Sequence, residues 1–275
     1  MVAILVTLIL ALSAPVFAAE DIGTTWGFWG DSQTDGRASE ASSCTSSPEC
    51  IGNILGTSPT EINGVGGRSL DGSHAAYDGY AGKAELSWVH FQESGNQDLT
   101  GQATAAAFGT TFEADMTNIA SDSPSAVISY ETAFSFGREA EAYRDWTDYN
   151  LQLYDSVETL SGSGVTVIVA DVDANIKRLQ DVYTPSAVWY QSGDTNEYHY
   201  TELGNFMVAV TVINSLGFDL DALDYSGVAD LDADQRAAAI SIAKTIQFTA
   251  GGLFLIDDSG QMLIDVTGQT TLEVQ

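Results

Sequence analysis

The chain has 275 residues, 44% of them hydrophobic, which suits one large domain or one domain with an appendage and argues against global disorder. Its charge is lopsided: 9 Lys+Arg against 38 Asp+Glu leave a net charge of −29. Such a surface repels nucleic acid phosphates and anionic membranes, so neither is expected as a partner. The acidic residues are dispersed rather than gathered in a tail. Two readings stand: a halophilic protein that works in high salt, where screening removes the self-repulsion, and an ordinary acidic secreted protein.

Residues 1–18 are nearly all apolar and end Pro15-Val16-Phe17-Ala18. Val16 and Ala18 suit the −3 and −1 positions of a signal peptide cleaved before Ala19, so a secreted or periplasmic protein is expected. Polar Glu20 and Asp21 follow at once, and no later stretch is long and apolar enough to span a bilayer, so no membrane association is expected after cleavage.

An apolar run at 25–29 predicts a first strand. It runs straight into Gly30-Asp31-Ser32, a turn that exposes a side chain at the carboxyl end of a strand, where open α/β sheets bind their ligands. A serine hydroxyl there becomes a nucleophile if a histidine takes its proton. Trp26, Phe28 and Trp29 read as core, since strand residues alternate between faces. Cys44 and Cys50 enclose Thr-Ser-Ser-Pro-Glu, which in an exported protein reads as a disulfide around a small loop. Two thiols without nearby histidines do not complete a metal site, and neither a metal nor an organic cofactor is expected.

Further strands are expected at 61–65, 126–130 and 165–170, and helices at 103–121, 137–161, 174–182, 200–216 and 232–248, with Asp232 and Gln235 in capping-box spacing. Strands alternating with helices predict an α/β fold: a three-layer α/β/α sandwich on a parallel sheet of about five strands, flavodoxin-like in layout. The tail reads differently. Strands at 253–256 and 262–266, with another at 271–274, predict a small C-terminal β-hairpin appendage. The expected organisation is a signal peptide at 1–18, a main domain at 19–250 and the appendage at 251–275.

Three segments together resemble the SGNH/GDSL hydrolase superfamily of lipases, esterases and carbohydrate deacetylases. The first is the turn with Ser32 in the nucleophile position. The second is Asn63-Gly64-Val65-Gly66-Gly67-Arg68, similar to the block whose glycine lends its backbone N–H to an oxyanion hole; Gly67 matches. The third is Asn196-Glu197-Tyr198-His199-Tyr200-Thr201-Glu202-Leu203-Gly204, similar to the block in which the catalytic histidine precedes a helix with glycine five residues on. The resemblance implies an SGNH hydrolase fold and ester hydrolysis through an acyl-enzyme. Ser32 would attack, His199 would be base and then acid, and the Ser32 and Gly67 amides would hold the oxyanion.

Two blocks depart from the family pattern. The usual Gly-x-Asn-Asp is replaced by Ser129-Tyr130-Glu131-Thr132-Ala133, where the oxyanion donor falls on Thr132 or, in the other register, on Ala133. Asn196 stands where an acid normally orients the histidine; it can orient an imidazole but cannot stabilise the imidazolium as a carboxylate does. Asp194, Glu197 and a backbone carbonyl are the alternatives. Arg68 could meet a substrate carboxylate or pair with a neighbouring Asp. Tyr198, with Trp189, Tyr190 and Tyr200, could form a sugar- or acyl-binding wall or cover the sheet edge. His74 and His90 read as surface or packing histidines. The expected ligand is a carbohydrate or lipid ester; the alternative is a catalytically weakened SGNH-like protein that binds glycans.

Overall fold

The structure is a computed structural model and describes residues 19–31, 34, 43–65, 68–92, 104–132, 147–192, 197–249, 252–256 and 262–265. In chain order its principal elements are β1 (Trp26–Gly30), α1 (Ser47–Leu55), β2 (Glu61–Gly64), α2 (Leu70–Asp78), β3 (Trp88–Gln92), α3 (Ala105–Asp122), β4 (Val127–Glu131), α4 (Thr147–Gly162), β5 (Ile168–Ala170), α5 (Val172–Val182), a short turn α6 (Pro185–Val188), β6 (Trp189–Ser192), β7 (Glu197–Tyr200), α7 (Glu202–Ser215) and α8 (Ala233–Thr245). Then come β8 (Ile246–Thr249), β9 (Gly252–Ile256) and β10 (Met262–Asp265).

The main sheet is parallel, in the order β2-β1-β3-β4-β5. Strand order reverses between β1 and β3, so a crevice opens at their carboxyl ends; this is where doubly wound sheets bind ligands. The period-2 alternation of β1 sends Trp26 and Phe28 to one face and Trp29 to the other, all fully buried, so the three aromatics are core as expected. Trp26, Phe28 and Trp88 pack on the layer of α1, α5, α7 and α8. Trp29, Val89, Phe91, Ile128, Tyr130 and Val169 pack on α2, α3 and α4. The ring centroids of Trp26, Phe28 and Trp88 lie 5.0–5.6 Å apart, contacts worth about 0.5–1.5 kcal/mol each beyond the area they bury. The expected α/β/α sandwich is therefore what forms.

Local signals place most helix ends. Ser46 accepts the Glu49 amide to cap α1, which stops at Gly56 in the left-handed region (φ 67°). Thr104 caps α3, Asp171 caps α5 and Thr201 caps α7. Asp232 Oδ1 accepts the amides of Asp234 and Gln235, so the expected cap of α8 is present.

Several elements differ from expectation. Strand β3, central in the sheet, is not read from the sequence because His90 and Gln92 interrupt its apolar run. Of the two readings open for His90, surface or packing, packing is the one that holds: it is wholly buried. His74 bridges α2 to α3 through Asp115, its Nδ1 3.0 Å from Oδ1. Helices α1 and α2 and the antiparallel pair β6–β7 were also not expected. The last helix stops at Thr245, and residues expected to prolong it form β8, which pairs with β9. Strands β9 and β10 form the expected hairpin. The strand expected at 271–274 and the signal segment 1–18 lie outside the described residues. Among the described residues no helix is long and apolar enough to cross a membrane.

Candidate active site

The carboxyl edge of the sheet is built from the ends of β1, β2, β3 and β4. Strand β1 ends at Gly30, followed by buried Asp31. Ser32 lies outside the described residues, and Thr34, two positions on, is fully buried. The Thr34 hydroxyl donates to Gln92 Oε1 at the end of β3, at 2.6 Å. Glycine is required at 30, because a Cβ there would overlap both the Thr34 hydroxyl and the Gln92 carbonyl oxygen.

Strand β2 continues into a loop tied to β1, with the Val65 amide donating to the Gly30 carbonyl at 3.1 Å. Gly67 lies outside the described residues. Arg68 folds back over β2: its Nη1 donates to the carbonyl of Asn63 at 2.9 Å and to its side-chain oxygen at 2.8 Å. These two bonds brace the loop between β2 and α2.

Strand β4 delivers the altered third block. The Thr132 hydroxyl accepts the amide of Asp173 at 2.9 Å and donates to Asp171 Oδ1 at 3.3 Å. One hydroxyl has one proton, so the residue expected to donate to an oxyanion is engaged in holding the first turn of α5. Burial, with Asp173 nearby, pushes the Asp171 carboxyl up to about 6. Glu131 is wholly buried, and burial holds its carboxyl well above the usual range, with Asp31 adding to the rise and Gln92 partly offsetting it.

Beneath this edge a line of buried polar side chains crosses the sheet on the α7 side. The Trp88 indole N–H donates to Ser129 Oγ at 2.7 Å, Ser129 Oγ lies 2.8 Å from His90 Nδ1, and His90 Nε2 faces Glu131 Oε2 at 3.6 Å. Burial lowers the His90 pKa to about 3, so the ring is neutral at ordinary pH. The sequence reading does not single out Gln92, and it gives His90 as a surface or packing residue without its polar partners. Their one signal was polar residues at alternate positions in an otherwise apolar segment.

His199 sits on β7, paired with Tyr190 of β6 in a separate two-stranded sheet, and its side chain is buried. Two residues later Thr201 starts α7: its hydroxyl donates to the Ala187 carbonyl at 2.6 Å and accepts the Gly204 amide at 3.2 Å. Glycine at 204 lets the helix approach α6, since a Cβ there would come within 2.6 Å of the Val188 carbonyl. Tyr200 is buried on the same side as Trp88. Its hydroxyl is held well above its usual pKa by burial and, further, by the fields of Glu131, Asp31 and Asp173. Glu197 and Tyr198 belong to β7, but their side chains, like Asp194 and Asn196, lie outside what is described.

The expected disulfide joins Cys44 to Cys50, both buried. It abuts α7: the side-chain amide of buried Asn205 donates to the carbonyls of Cys44 at 2.9 Å and Thr45 at 3.1 Å. Among the described residues no cluster of His, Cys, Asp and Glu has the arrangement of a metal site.

No family model matches the sequence, and no curated protein matches it. Solved structures do match in fold. An acetyl-xylooligosaccharide esterase variant from Geobacillus stearothermophilus is 13% identical, with a TM-score of 0.52 over 74% of this chain and 98% of the other. A GDSL-like lipase from Parabacteroides merdae is 14% identical, with a TM-score of 0.51 over 74% and 98%. An α/β-hydrolase enzyme from the metagenome of Lake Arreo is 14% identical, with a TM-score of 0.51 over 74% and 97%. With the β2-β1-β3-β4-β5 order and helices on both faces, these matches give the chain the fold of the SGNH/GDSL hydrolases.

Proposed function

We propose that this protein is an exported serine esterase acting on ester-bearing carbohydrates or lipids. The observation that supports the reading is the burial of the residues beside both candidates: Asp31 and Thr34, which flank Ser32, are buried after the end of β1, and Tyr200, the neighbour of His199, is buried in one cluster with Phe28 of β1 and Trp88 of β3. The fold neighbours are named as esterases and lipases, which supports ester hydrolysis as the reaction class.

In this reading Ser32 Oγ attacks the ester carbonyl while His199 takes its proton. The Ser32 and Gly67 amides hold the oxyanion. Collapse expels the alcohol, which takes the proton back from His199. Water then attacks the acyl-enzyme with His199 again as base, releasing the acid and restoring Ser32. Asp194, Asn196 and Glu197 are the candidates for orienting His199, with Arg68 and Tyr198 as candidate substrate contacts. The engagement of Thr132 leaves the two backbone amides as the oxyanion donors.

That engagement also favours a second reading, a glycan-binding protein with weakened turnover. A labelled fluorophosphonate separates the two. The esterase reading expects covalent labelling of the wild type, mapped to Ser32 and abolished in Ser32→Ala. An unlabelled, folded wild type with measurable glycan affinity would overturn it in favour of the binder.

A further inference from the structure

We propose that Thr34 and Gln92 are positioning residues for Ser32, their hydrogen bond pinning the nucleophile turn to the neighbouring strand β3. The inference rests on the esterase reading.

The contact is specific and enclosed. Thr34 Oγ1 and Gln92 Oε1 lie 2.6 Å apart, and neither residue has any exposure. The chain leaves β1 at Gly30 and is held again at Thr34, so Ser32 falls between two anchored points. Gly30 is part of the device: the space its missing Cβ leaves is where the Thr34 hydroxyl sits against the Gln92 backbone. With its proton given to Gln92, the Thr34 hydroxyl has none to offer a substrate, so its contribution acts through the turn.

Gln92 Oε1 takes the Thr34 proton, and Gln92 stands at the end of β3 beside β1 and β4, with Glu131 likewise wholly buried at the end of β4. This face of the sheet carries the aromatics Trp26, Phe28 and Trp88 and, beside them, the buried polar His90 and Ser129. Apolar side chains at 34, 92 and 131 would fill the same space without desolvating polar atoms. A buried directional hydrogen bond two residues from the candidate nucleophile fixes one geometry where hydrophobic contact would permit several. Reactions between held groups are sensitive to that difference: about 1 Å of misplacement can lower a rate about 100-fold.

The test uses the full protein with p-nitrophenyl acetate and the fluorophosphonate probe. Thr34→Val and Gln92→Met keep shape and remove the bond; Thr34→Ser keeps the hydroxyl. Near-ultraviolet circular dichroism reports folding, and Thr34→Ala stands in if Thr34→Val does not fold. The expected result is a fall in kcat and in labelling rate of about tenfold or more in Thr34→Val and Gln92→Met, with KM within about twofold. Thr34→Ser should recover most of the rate, and the double variant should lose little more than either single one. A labelled wild type whose folded variants keep full kcat, or lose only KM, overturns the inference alone. A wild type that is not labelled at Ser32 overturns the esterase reading and the inference with it.

Discussion

His90 and Ser129 meet across β3 and β4 at 2.8 Å in the middle of the sheet, and neither has any exposure. The imidazole lies tilted against Phe28 with ring centroids 4.3 Å apart and is wholly buried, so its charged form has no water around it. Its pKa falls to about 3 when folded, against about 6.5 when unfolded. Above pH 6.5 both states hold the ring neutral, and this contribution to stability is whole. Between pH 6.5 and 3 only the unfolded state binds the proton, so the contribution is lost as pH falls, by about 1.4 kcal/mol per unit. The advantage of wild type over His90→Asn should therefore shrink between pH 7 and pH 4.5 in urea denaturation. An advantage that stays constant would show that folding leaves the pKa of the ring unchanged.

Asp171 carries the opposite dependence. Its folded pKa of about 6 exceeds the ordinary 3.8, so the stability it contributes is whole below 3.8 and lost as pH rises through 6. Asn can replace it as the cap of α5 and as a partner of Thr132. Asp171→Asn should gain on the wild type between pH 4 and pH 6.5, by about 1.4 kcal/mol per unit. Parallel curves would mean that the carboxyl titrates in the usual range.

The disulfide closes a short loop at the first turn of α7, the helix that follows His199. In the chain-entropy model a loop of this size is worth about 2–3 kcal/mol. Cys44→Ser/Cys50→Ser should lose about that much in chemical denaturation. Because Asn205 grips the loop carbonyls, the same variant should also lower esterase kcat. Unchanged stability would remove the loop as a brace.

Salt tests the electrostatic reading. Each lysine is already paired: Lys83 with Asp78 and Asp122, Lys177 with Asp173, and Lys244 with Asp221. A net charge of −29 therefore remains as self-repulsion. The Debye length shrinks from about 10 Å at 0.1 M to about 3 Å at 1 M. We expect Tm to rise across that range of sodium chloride. A flat or falling Tm would oppose a saline setting and leave the hydrolase reading untouched, since the two rest on different residues.

What the sequence by itself determined was local. The alternation of Trp26, Phe28 and Trp29 sets a strand with aromatics on both faces, Asp232 caps α8, and the spacing of Cys44 and Cys50 permits their bond. Each follows from residues a few positions apart, whose geometry the backbone dictates wherever the segment lies. The tertiary structure decided everything that depends on partners distant in the chain. It made Trp-Val-His-Phe-Gln a central strand, because a parallel neighbour on each side satisfies its backbone and buries its polar side chains. It committed the Thr132 hydroxyl to α5 and joined Thr34 to Gln92 across 58 residues. Parallel pairing fixes such registers through long crossovers, so no local pattern carries them. A polar residue within an apolar run reads as an interruption until the strand beside it supplies its hydrogen bond.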